Sequence, residues 1–125
     1  MNNQRWNEIT ETAKGIGTQH GLNAAYEYAY FILGGPVRAS NAEQAREIRD
    51  RIAAGDEEII SYFPRADLSG EWADGYTPAR LAADCDLHYE DEDYLWDLCD
   101  VYEEAFDEVV RTTIPWILNA ADIMS

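Results

Sequence analysis

The sequence predicts an all-α protein, a compact bundle of four to six helices with a long N-terminal helix and a long acidic C-terminal helix. Three observations carry that expectation. Apolar residues recur at three- and four-residue steps over long stretches, cap and stop residues fall between several of them, and no stretch alternates apolar and polar as a strand does. At 125 residues, 46% hydrophobic and 12% aromatic, the chain is too apolar for a disordered acidic tail and long enough to build one core. Residues 1–125 read as a single domain.

The first element, from about Asn3 to Leu33, places Trp6, Ile9, Ala13, Ile16, His20, Ala24 and Phe31 at helical spacing. Gly15, Gly17 and Gly21 each cost up to about 1 kcal/mol against Ala inside a helix. One long helix is nevertheless expected, because Gly17, Gly21, Ala25 and Ala29 recur every fourth residue and such a stripe lets another helix approach closely. Gly34, Gly35 and Pro36 end it. Ser40 and Glu43 read as a capping box before a helix with Ala42, Ala45, Ile48 and Ile52 on its apolar side, and Gly55 stops that helix. Asp56 caps a short helix over Glu57 to Tyr62, bounded by Pro64. Residues 65–77 form an ordered loop whose corner is filled by Trp72, and Thr77 with Pro78 opens a brief helix to Ala83 or beyond. The last helix runs from about Tyr89 to Ala120 on Leu95, Leu98, Tyr102, Ala105, Phe106, Val109 and Val110, with a bend expected at Pro115.

The charge is unevenly placed. The chain has 25 acidic and 9 basic side chains, a net −16, yet residues 1–55 hold six of each and read as a charge-balanced scaffold half. Residues 56–125 are the acidic half, with nineteen acidic side chains against three basic, and Asp84 to Glu108 carries twelve carboxylates with no Lys or Arg. A surface of that sign excludes broad contact with bare nucleic acid or an anionic membrane, both of which need clustered cations.

On the final helix Asp93, Asp97, Asp100, Glu104 and Asp107 follow four- and three-residue steps, with Glu103 beside them. Such a stripe spaces charges about 5 Å apart along the axis, comparable with about 3.4 Å per phosphate on one DNA strand. Trp96 sits at its edge as a candidate anchor. The bland explanation is a solvated face that serves solubility.

Other chemistry finds little support. Cys85 and Cys99 lack CxxC spacing and read as reduced, packed thiols in a cytoplasmic protein. Asp84, Cys85 and His88 lie close in sequence without the second ligand pair of a zinc site, so no metal or cofactor is expected. His20 reads as a polar group facing its neighbours. The GxSxG, HExxH and P-loop patterns are absent, and the reading is non-enzymatic. The N terminus lacks the apolar core of a signal peptide, and no run is apolar enough for a membrane span.

The segment Asp67 to Pro78, DLSGEWADGYTP, followed by Leu98 to Glu108, an LCDxYExAFDE-like helix, resembles small acidic helical proteins of actinobacterial phages and plasmids. The resemblance spans residues 66–110 and implies a mobile-element origin. Two functional readings stand together. In the first, Asp93, Trp96, Asp97, Asp100, Glu103, Glu104 and Asp107 contact a basic nucleic-acid-binding protein of the host, as a DNA mimic of anti-restriction or anti-CRISPR type. In the second, the chain is an interaction or assembly module that self-associates through Gly17, Gly21 and Ala25 or an exposed aromatic patch.

Overall fold

The computed structural model describes residues 1–66, 68 and 76–124, and among these there is no β-strand. Trp72, Gly70 and Gly75, expected to build the corner of the loop, lie outside the described residues. Among the described residues five α-helices follow in order: α1 Asn3–Leu33, α2 Ala42–Ala53, α3 Glu57–Ile60, α4 Pro78–Asp84 and α5 Leu95–Leu118. Short 3-10 segments occupy Ala39–Asn41, Tyr89–Tyr94 and Asn119–Ile123. No helix among the described residues is long and apolar enough to cross a membrane.

The helix ends explain their own positions. Asn2 opens α1, its side-chain oxygen accepting from Arg5 N at 2.8 Å. Gly34, at φ 71°, closes α1 by placing Gly35 N on Tyr30 O, and Gly55, at φ 76°, closes α2 by placing Asp56 N on Arg51 O. The same motif ends α4 without a glycine: Asp86 takes φ 57°, Leu87 N reaches Ala82 O, and Arg5 Nη2 donates to Asp86 O at 3.0 Å. Asp56 accepts from Glu58 N and Thr77 from Arg80 N, as the sequence predicts.

The expected Ser40–Glu43 capping box does not form. Ser40 lies inside the 3-10 turn, and Asn41 does the closing instead: its Oδ1 accepts from Arg38 N at 2.8 Å and its Nδ2 donates to Pro36 O. Helix α5 runs through Pro115 to Leu118, and it begins at Leu95 rather than Tyr89. Asp91 leaves helical geometry in the preceding segment, so the acidic run Glu90 to Asp93 forms a tighter turn at the positive end of α5.

Helix α1 buries every fourth residue from Ile9 to Leu33: Ile9, Ala13, Gly17, Gly21, Ala25, Ala29 and Leu33. Each four-residue step advances about 40° beyond a full turn, so the buried stripe winds about 240° around the helix. A single fixed apolar face therefore describes α1 poorly. Phe31, expected on that face, is 84% exposed because the stripe has rotated away from it by that point.

The chain divides into two compact units, and each takes residues from both sides of Gly55. Unit 1 comprises residues 1–21 and 65–107. Its interior holds Ile9, Ala13, Leu81, Cys85, Leu98, Cys99, Tyr102 and Phe106. Here α1 meets α5 closely: a Cβ on Gly17 would stand 2.5 Å from Tyr102 O and 3.3 Å from Ala105 Cβ. Unit 2 comprises residues 22–64 and 108–125. Its interior holds Ala25, Ala29, Leu33, Ala42, Ala45, Val110, Ile114, Leu118 and Ala121, and Tyr28 meets Phe63 edge-on at 5.5 Å. Gly17, Gly21 and Ala25 are thus buried within the chain, and the small-residue stripe serves its internal packing rather than an exposed face.

Candidate protein-binding surface on the acidic helix

The inward face of the first half of α5 is set by Leu98, Tyr102 and Phe106, at four-residue steps and all buried. At about 100° per residue, Asp97, Asp100 and Glu104 fall within about 60° of one another on the opposite side. All three are exposed, as is Asp93 in the 3-10 segment before the helix. No ion pair among the described residues involves any of these four carboxylates. Trp96 lies on the adjacent flank and is 63% exposed, so its ring is offered to solvent rather than sealing the core.

Glu103 and Asp107 behave differently. They sit on the same flank as Trp96, are half-buried, and turn to the chain's own backbone: Glu103 Oε1 accepts from Leu68 N at 3.2 Å and Asp107 Oδ1 from Ala66 N at 3.4 Å. The expected single stripe is therefore two. Asp97, Asp100 and Glu104 face outward, while Glu103 and Asp107 hold the segment entering the loop, whose Leu68 is buried. Asp93 stands off the α-helix altogether.

Unit 1 contains sixteen acidic and four basic side chains, a net −12, against −4 for unit 2. Three of the four cations are engaged away from the outward stripe. Arg5 binds Asp86 O, Lys14 pairs with Glu11, and the Arg80 guanidinium lies 5.6 Å above the Tyr76 ring. The outward carboxylates thus act as a field of one sign, and such a field accelerates encounter with an oppositely charged surface.

A polar cluster that the sequence does not announce lies in the same unit. His20 Nδ1 and the Tyr102 hydroxyl share a 2.6 Å hydrogen bond, Tyr76 stacks on Tyr102 at 5.3 Å, and the Tyr76 hydroxyl donates to Asp84 Oδ2 at 2.9 Å. Burial, with the Asp84 carboxylate, pushes the Tyr76 phenol well above its ordinary range. Burial likewise raises the Cys85 and Cys99 thiols to about 11. All three groups therefore stay protonated at neutral pH, which suits packing and hydrogen bonding rather than nucleophilic attack. The cluster's members are 82 residues apart in the His20–Tyr102 pair, beyond the reach of any local motif. Both cysteines are free and buried, and no three His, Cys, Asp or Glu side chains among the described residues form a group that could hold a metal ion.

No protein-family model, curated protein or solved structure matches the chain.

Proposed function

We propose that the chain is a non-enzymatic protein of mobile-element origin that presents the outward carboxylates of α5 to a basic protein surface in the host cytoplasm. The reading is a DNA mimic that occupies the groove of a nucleic-acid-binding or defence protein, of anti-restriction or anti-CRISPR type. The observation that carries it is the exposure of Asp93, Asp97, Asp100 and Glu104 without an internal cation, beside an exposed Trp96.

The physical support is a cost without an internal return. Like charges three or four residues apart destabilise a helix by about 0.2–0.5 kcal/mol per pair, so Asp100 repels both Asp97 and Glu104 in the free chain, and only Asp97 is offset by its place in the first turn of α5. A partner carrying Lys or Arg at similar spacing relieves that repulsion on binding, and an aromatic side chain amid the charges supplies desolvated contact area. Axial steps of about 4.5 and 6 Å between these carboxylates lie on the scale of a phosphate backbone.

The test is capture from host lysate by the native chain and by a triple charge reversal, Asp97→Lys, Asp100→Lys and Glu104→Lys. The native chain is expected to retain a nucleic-acid-binding protein and the reversed chain to lose it while keeping its helical circular dichroism. Equal capture by both contradicts the reading. Glu103 and Asp107 are left intact because their role within the fold would confound the result.

A further inference from the structure

The side chains of unit 2 enclose a groove of about 520 Å³ distinct from the acidic stripe. Tyr26 and Tyr30 from α1, Val37 from the turn after it, Trp116 and Ile117 from α5, and Ile123 from the last 3-10 segment line it. None of its lining residues is charged. Trp116 is 66% exposed and Ile123 84%, so the groove carries large apolar knobs on its own rim. The wall that bears Ile123 is held in place: Arg46 Nη1 donates to Ala121 O at 3.0 Å, and Arg49 Nη1 meets Asp122 Oδ2 at 2.7 Å.

We propose that a second copy of this chain covers the groove in a two-fold pairing, with Trp116 of each protomer seated in the groove of the other. Knob and hole on one face are what a closed, self-complementary pairing requires. The area fits as well. Weighted by their exposures, at about 150–250 Å² per aromatic side chain, Tyr26, Tyr30 and Trp116 leave about 220–370 Å² on each copy, and with Ile123 the lining offers on the order of 500 Å². Covered in full on both copies, that surface amounts to about 1,000 Å², the threshold for a specific interface. Charge selects the same face. A chain of net −16 repels its twin least where the lining is uncharged and the unit carries −4 rather than −12. A basic partner, by contrast, finds no carboxylate in this groove to meet.

Sedimentation equilibrium tests the pairing. The native chain is expected to pass from 14.2 kDa to twice that mass with rising concentration, and added salt should favour the dimer by screening the self-repulsion. Trp116→Glu and, separately, Ile123→Asp should each raise the dissociation constant on the order of 100-fold. Both residues are exposed, so circular dichroism and thermal melting should stay native. A chain that remains at 14.2 kDa at every concentration and salt overturns the proposal, as does a dimer that both variants leave intact. The pairing stands apart from the acidic-face reading: reversing Asp97, Asp100 and Glu104 should leave the dimer in place.

Discussion

Replacing Gly17 by alanine sets two large effects against each other on one helix. In an open helical position the exchange stabilises by up to about 1 kcal/mol, because alanine loses less backbone freedom on folding. At Gly17 the new Cβ would stand 2.5 Å from the Tyr102 carbonyl oxygen, well inside ordinary contact at 3.4 Å. The obstacle is main chain, so no rotamer change relieves it. Helix α5 must instead move by nearly an ångström, away from the contacts of Leu98, Tyr102 and Phe106. Overpacking of this kind costs about 1–3 kcal/mol, and the upper end applies where backbone is in the way. The net expectation is a loss of about 2 kcal/mol once the propensity gain is subtracted. Gly15, two residues earlier, is the internal control: nothing lies within 4 Å of its added Cβ, so Gly15→Ala should gain about 0.5–1 kcal/mol. Urea unfolding followed by far-UV circular dichroism reads both. Opposite signs are expected, and a Gly17→Ala chain as stable as Gly15→Ala would refute the close approach of α1 to α5.

The carboxylates of α5 should separate by role in the same assay. Glu103→Ala and Asp107→Ala each lose an acceptor for a main-chain N–H and should cost about 1–2 kcal/mol, whereas Asp100→Asn and Glu104→Gln, beyond the first turn of α5, should each gain a few tenths; equal effects at all four positions would contradict the division. The Cys85 and Cys99 thiols, raised to about 11 from an ordinary value of 9.0, fix the sign of an alkaline effect. Stability from the neutral thiols is complete below the unfolded value and is lost as pH rises from 9 toward 11, so melting temperature should fall across that window. Iodoacetamide near neutral pH should label neither thiol until the chain unfolds, as read by mass spectrometry, and rapid labelling of the native chain would contradict their burial.

Helix class and most helix ends were legible because their causes are local. Asp56 and Thr77 cap through their own side chains, and Gly34 and Gly55 supply the positive φ that ends a helix. Asp86 does the same for α4 but carries no glycine signal, since its strained turn is secured by Arg5 from a distant part of the chain. Phe31 was misplaced because a fixed helical face cannot represent a stripe that winds, although the four-residue recurrence of small residues already contained that winding. The outward carboxylates Asp97, Asp100 and Glu104 were legible from periodicity alone. Glu103 and Asp107 were not separable from them, because their partners are main-chain N–H groups at residues 66 and 68, which side-chain spacing does not encode. The aromatic groove of unit 2 joins residues 26–37 to residues 116–123 and leaves no local pattern to read.

The most direct test of the acidic surface is competition. With the captured partner in hand, its affinity for the native chain is titrated against salt and against duplex DNA. DNA is expected to displace the chain from the partner, and affinity to fall at least about tenfold as salt rises through the range in which the Debye length contracts from about 30 to about 8 Å. A complex that ignores both salt and DNA would contradict the DNA-mimic reading.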